Sequence, residues 1–130
     1  MKLFETFVAI DLETTGLDFD KDEIIEIALV RFVNDSVQES CDFLVKPTKE
    51  LRPFIEHLTG IDSETLASAE DFPAIAEKVF SFIGDVPLVA HNAQFDFHFL
   101  KNAFAKVGVP FENHPVFDSL ALSRIAFQKV

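Results

Sequence analysis

Phe7-Val8-Ala9-Ile10-Asp11-Leu12-Glu13-Thr14-Thr15-Gly16-Leu17 is an apolar run that turns acidic and then breaks on a Thr-Thr-Gly turn. Residues two apart in a strand face the same side, so Asp11 and Glu13 present their carboxylates together while Ile10 and Leu12 pack inward. Two acids at the end of a buried strand are costly unless a positive charge neutralises them. Carboxylate oxygens suit hard cations, and Mg²⁺ in particular is held by one or two of them, with water and substrate phosphate completing its octahedron. The bland alternative is a solvated acidic edge, because the chain has 22 acidic residues and Asp18/Asp20, Asp20/Asp22 and Asp62/Glu64 repeat the same spacing in what read as loops. Position sets Asp11 and Glu13 apart: an apolar strand leads in and a tight turn leads out.

Working outward, 130 residues at 48% hydrophobic content make one domain with a real core. A net charge of −11 argues against a module that grips nucleic acid through a broad basic surface. It leaves room for an enzyme that holds a few nucleotides through metal ions. Cys41 is the single cysteine, which rules out an internal disulfide and fits a reducing compartment. Glu5 and Asp11 interrupt the first apolar run, so it is no signal peptide, and nowhere do 18 apolar residues run together. The expectation is a cytoplasmic protein without a membrane partner. The aromatic content is 16 Phe with no Tyr or Trp, so the rings read as core.

Phe4 to Ile10 reads as a first strand, Ile24 to Val33 as a second and Val37 to Val45 as a third, with Asn34-Asp35-Ser36 as a turn. Short links make this an antiparallel meander. The acidic loop before Ile24 fails as a calcium-binding EF-hand, because Glu23 stands where the tight-turn glycine belongs and Leu29 where the bidentate Glu belongs. Leu51 to Leu58 reads as a short helix or irregular segment closed by Thr59-Gly60. Asp71 and Pro73 open a helix through Ile83 that Gly84 stops. Pro87 to Ala90 is a wholly apolar strand, Ala93 to Val107 a helix ended by Gly108, and Pro115 to Phe117 a short strand. Asp118 or Ser119 then caps a helix running to the last residue. Alternation of strand and helix in this half implies an α/β layered domain.

His91-Asn92-Ala93-Gln94-Phe95-Asp96 joins the buried strand to its helix and puts Asp96 in the first helical turn, where the dipole favours an anion. An isolated Asp there merely stabilises the helix. At the C-terminal ends of α/β strands, however, ligands and catalytic groups are expected.

These two stretches resemble the two leading motifs of the DEDD superfamily of 3′→5′ exonucleases, in particular the branch of the DNA polymerase III epsilon (proofreading) subunit. Asp11-Leu12-Glu13-Thr14-Thr15-Gly16 matches the first and His91 to Asp96, continued by Phe99-Leu100, the second. Leu58-Thr59-Gly60-Ile61 is similar to the segment lining the nucleotide pocket, and Asp118 to Arg124 to a helix start of this branch.

The resemblance implies a ribonuclease H-like α/β fold. Its mixed central sheet would hold three antiparallel strands and then strand-helix-strand, flanked by helices, with residues 1–130 forming an incomplete N-terminal part that lacks the C-terminal helices. It implies two Mg²⁺ or Mn²⁺ ions, with Asp11 bridging both, Glu13 binding one and contacting the terminal nucleotide, and Asp96 completing the ligands. Thr14, Thr15 and Gly16 would meet the terminal sugar and 3′-hydroxyl, with Leu17, Thr59 and Asn92 as further pocket residues. The partners implied are a single-stranded DNA 3′ end, with RNA as the other candidate, and a DNA polymerase subunit. The reaction is release of nucleoside monophosphates in proofreading or repair.

One departure weighs against these matches. The family's third motif, with its last metal-binding Asp and a general-base His or Tyr, does not occur in residues 1–130, and none of His57, His91, His98 and His114 stands in for the base. The expectation is an exonuclease domain truncated before that motif and inactive as it stands. The competing reading is a non-catalytic polymerase-associated or regulatory module with the same fold. Glu26, an acid inside an apolar strand, is either a supporting group at the metal site or part of an exposed face. Asp118 reads as a helix cap.

Overall fold

A computed structural model of the chain describes residues 5–119. Its organising element is strand β1 (Thr6–Thr14), which pairs antiparallel with β2 (Ile24–Val33) on one side and parallel with β4 (Leu88–Ala90) on the other. β3 (Ser36–Leu44) adds to the free edge of β2, and β5 (Val116–Asp118) runs parallel to β4. The five-stranded order is β3-β2-β1-β4-β5, a mixed sheet with the antiparallel meander on one side and parallel strands on the other.

The β2–β3 link is the two-residue turn Asn34-Asp35, with φ of 49° and 68°. Positive φ at both positions matches the turn twist to the strand twist, and Asn and Asp tolerate it better than other side chains. Parallel strands need crossovers, supplied here by helices. From β3 the chain passes through α1 (Pro53–Thr59), α2 (Ser63–Ala67) and α3 (Phe72–Ile83) to β4, and α4 (Ala93–Lys106) links β4 to β5.

Local chemistry sets the helix ends. Asp71 caps α3 by accepting from the Ala74 N–H at 3.1 Å, and Gly84 stops it. Asp62 caps α2 in the same way through the Thr65 N–H at 2.7 Å. Gly60, at φ 75°, closes α1 in the left-handed conformation that only glycine adopts cheaply. The sequence reading did not anticipate α2, because five residues with one buried position, Leu66, show no periodicity.

The same strand corrects a boundary. The sequence reading ended β1 at Ile10, yet the ladder continues through Asp11↔Ala28, Leu12↔Ile27 and Glu13↔Glu26 and shifts register only between Glu13 and Thr14. Backbone pairing is indifferent to side-chain charge when the charged side chains stand on the face that is not sealed. Val8, Ile10 and Leu12 point to the sealed face, where they pack with Ile27 and Leu29 of β2, Leu88 and Ala90 of β4, Ile75, Val79 and Ile83 of α3, and Leu100 and Phe104 of α4. A second, smaller cluster gathers Ile25, Leu51, Ile55 and Leu66 under α1 and α2. No helix among the described residues is long and apolar enough to cross a membrane. The helix expected after Asp118 lies outside the described residues. Asp118 itself closes β5, where its carboxylate accepts the Ala93 N–H at 3.3 Å and ties that strand to the start of α4.

Candidate active site

Asp11 and Glu13 lie on the open face of β1, Asp11 exposed and Glu13 half-buried. Glu26 of β2 is the register partner of Glu13, and Asp42 of β3 is the partner of Ala28, which in turn faces Asp11. Four acids therefore share one patch of the sheet. Asp96 comes from the first turn of α4, immediately after the buried strand β4, and among the described residues is the one charged residue that is buried, 7% exposed.

The charges of these groups act on one another. Burial, followed by the charges of Asp11 and then Glu13, pushes the Asp96 carboxyl up to about 7. Glu13 is raised by burial and then by Asp11. Glu26 is pushed up to about 7 by burial, by a hydrogen bond with Asp42, and by the charges of Asp42, Glu13 and Asp11. Every one of these causes opposes ionisation. Three oxygen-donor side chains from β1 and α4 are thus within range of one another's charge, a conflict that a hard divalent cation removes. The donor chemistry fits such an ion. Among the described residues, no three His, Cys, Asp or Glu side chains are grouped so that they could hold a metal ion as they stand.

The turn after β1 is built to hold its shape. Thr14 Oγ1 donates to the Gly16 carbonyl at 2.7 Å, and Thr15 Oγ1 donates to Asp22 at 3.0 Å while accepting the Glu23 N–H at 2.9 Å. Arg52 reaches over from the segment before α1 and donates to the Thr15 carbonyl at 3.0 Å. That cation beside the turn was missed in the sequence, since nothing local to Arg52 signals a partner 37 residues away. Leu17 is 82% exposed at the tip of the turn. Thr59 is engaged with its own helix end, donating to the Ile55 carbonyl and accepting the Ile61 N–H, and Asn92 stands exposed just before α4.

The histidines supply little to this patch. A ring nitrogen of His98 lies 2.8 Å from the Gln94 carbonyl and one of His114 lies 2.7 Å from the Val86 carbonyl, while His57 and His91 are exposed. Asp42 was the other residue overlooked. Its neighbours in sequence carry no motif, and only the β2–β3 register brings it to Glu26.

An acidic pair at a strand end with a buried Asp opposite is a pattern that comparison can test, and residues 8–130 match the RNase_T exonuclease family. The chain belongs to this exonuclease family. It is 39% identical over 122 residues to the 3′-5′ exonuclease DinG of Staphylococcus epidermidis and 35% identical to that of Staphylococcus aureus strain MRSA252. Each match covers 94% of this chain but 14% of the relative, so the chain spans about one seventh of these longer proteins. Among solved structures, the zinc-bound E. coli exonuclease I complex with single-stranded DNA superposes with a TM-score of 0.81 at 22% identity, covering 95% of this chain and 30% of that one. A complex of exonuclease I with the SSB C-terminus gives 0.82 at 22% identity, again over 95% and 30%. The fold is ribonuclease H-like, as the DEDD exonuclease resemblance implied. Divalent metal ions are the cofactors with which this family works.

Proposed function

We propose that residues 1–130 carry the metal-ligand and terminal-nucleotide half of a metal-dependent 3′→5′ exonuclease domain, with Asp11, Glu13 and Asp96 as metal ligands and catalytic residues. The observation that supports it best is the upward push on Asp96 by burial and then by the charges of Asp11 and Glu13, which couples the two family motifs, distant in sequence. A pair of Mg²⁺ or Mn²⁺ ions, when bound, would supply an activated water and stabilise the leaving 3′-oxygen of an in-line displacement.

The chain's own residues do the rest. Asp11, exposed on the open face of β1, Glu13 beside it and Asp96 from the first turn of α4 would hold the ions. Thr14, Thr15 and Gly16 form a rigid turn beside the carboxylates that receives the terminal sugar, with Leu17, Thr59 and Asn92 bordering it. Arg52, anchored on the Thr15 carbonyl, offers a positive charge to a strand phosphate. The substrate class proposed is a single-stranded DNA 3′ end, with RNA the competing substrate. This is supported by the 3′-5′ exonuclease activity of the relatives and by the single-stranded DNA held by the exonuclease I structure of the same fold. A polymerase partner rests on the epsilon-branch resemblance alone.

The test is incubation of the natural full-length product with a 5′-labelled single strand and Mn²⁺ beside Asp11→Ala. Stepwise shortening with release of nucleoside monophosphates, lost in the variant, is expected. No metal-dependent shortening overturns the proposal. A second reading for these 130 residues, in which the family's third motif does not occur, is a non-catalytic module of the same fold. It predicts intact strands with or without metal.

A further inference from the structure

Asp11 and Glu13 sit on β1, whose place is fixed by backbone pairing to β2 and β4, whereas Asp96 sits on the first turn of α4, a helix seated on the sheet by its side chains. Leu100 and Phe104, both wholly buried, seat its middle and its end in the main core. Its first two turns are also gripped by the loop between β1 and β2. The Phe19 ring lies against Phe95, His98 and Phe99, with centroids at 5.9, 4.8 and 5.2 Å. Those three side chains fall at the spacing i, i+3 and i+4, on one flank of α4. Asn102, one turn on, donates its side-chain N–H to the Phe19 carbonyl at 3.2 Å, so the ring and the backbone of Phe19 are both held.

An aromatic ring in an apolar cluster is ordinary packing. Phe19 differs in its setting: it lies between Asp18 and Asp20 in a polar loop whose other apolar residue, Leu17, is 82% exposed. The loop is tied back to the end of β1, where the Thr15 N–H donates to the Glu23 carbonyl at 2.9 Å and the Thr15 hydroxyl donates to Asp22 at 3.0 Å. A continuous line of contacts therefore runs from the end of β1 through the loop to Phe95, the residue before Asp96.

We infer that Phe19 is a positioning residue for the exonuclease site, setting the first turn of α4, and with it Asp96, against Asp11 and Glu13 on β1. The inference rests on the reading of those three acids as metal ligands. A ligand carried on a packed helix keeps its geometry only while the surrounding groups hold that helix, and loosening such support costs metal affinity without touching a ligand. Without the Phe19 ring, the loop releases the flank of α4 and Asp96 is no longer braced from the β1 side.

Calorimetric titration of the chain with Mn²⁺, at a temperature where every variant is folded by circular dichroism, tests this. The parent is expected to bind, and Phe19→Ala to bind about tenfold more weakly. Asn102→Ala removes only the backbone anchor and is expected to weaken binding about threefold, which keeps the test open if Phe19→Ala does not fold. The control is Phe80→Ala, which removes a ring packed on Phe104 and Phe111 at 5.8 and 6.4 Å and is expected to lower the melting temperature yet keep the parental Mn²⁺ affinity. Parental affinity in Phe19→Ala, or in Asn102→Ala where the first variant is unfolded, overturns the inference and leaves the metal reading standing. A loss in Phe80→Ala as large as in Phe19→Ala also overturns it, because the effect is then one of general stability. A parent that binds no Mn²⁺ defeats the metal reading itself, and the inference falls with it.

Discussion

Thr15 and Asp22 close the loop between β1 and β2, the Thr15 hydroxyl donating to the Asp22 carboxylate at 3.0 Å while the second carboxylate oxygen accepts the Asp18 N–H at 2.9 Å. Gly16 lies under this clasp. A Cβ built there would sit 2.3 Å from one Asp22 oxygen and 2.6 Å from its carboxyl carbon. Asp22 cannot swing aside without giving up both bonds. Gly16→Ala is therefore expected to destabilise the chain by about 1–3 kcal/mol. In the Asp22→Ala background the same change should cost much less, a coupling that urea denaturation of the four proteins measures.

Asp96 makes the metal-free protein sensitive to pH in the direction opposite to an ordinary salt-bridged acid. Its folded-state carboxyl, raised from 3.8 to about 7, binds a proton more tightly than the unfolded chain does. Its stabilising contribution is therefore whole below about pH 4 and is lost as pH climbs toward and through 7. In EDTA at pH 8, Asp96→Asn should melt higher than the parent, by about 5 °C. Thermal melts between pH 5 and 8 check this; a variant that melts lower at pH 8 would show that the buried carboxylate has a stabilising partner.

Glu26 and Asp42 form a second acid pair across β2 and β3, and burial, then their hydrogen bond and the neighbouring charges, push Glu26 up to about 7. Asp42→Asn removes the neighbouring charge and leaves a donor that favours ionised Glu26. The Glu26 carboxyl is then expected to titrate nearer its ordinary value, which carbon-detected NMR titration reads directly.

Much of this was legible in the sequence, for reasons that can be named. Asp71 with Pro73 and Gly84 bracketed α3, and the all-apolar Leu88–Ala90 announced a strand buried on both sides, because caps and unbroken apolar runs are local signals. Asp11, Glu13 and Asp96 were singled out because two motifs carried them. Glu26 was suspected on local grounds, being an acid in an apolar run, but Asp42 and Arg52 acquire meaning only through strand register and a contact between distant segments.

Phe104 is the centre of the ring cluster, fully buried, with Phe72 at 5.4 Å, Phe80 at 5.8 Å and Phe111 at 4.9 Å between centroids. Its aromatic neighbours cannot collapse into the space it would leave. Phe104→Ala should cost about 3–5 kcal/mol, a large share of the stability of a small domain, with an urea midpoint shift as the readout.

The central claim is that Asp11, Glu13 and Asp96 together accept a divalent cation, and thermal melting against Mg²⁺ or Mn²⁺ tests it most directly. Binding to the folded chain alone stabilises it by about 2.7 kcal/mol at a hundredfold excess over Kd. The parent chain is expected to melt several degrees higher in millimolar metal than in EDTA, with the gain abolished in Asp11→Asn and in Asp96→Asn. Superimposable melting curves with and without metal, or an equal gain in the two variants, would contradict the account.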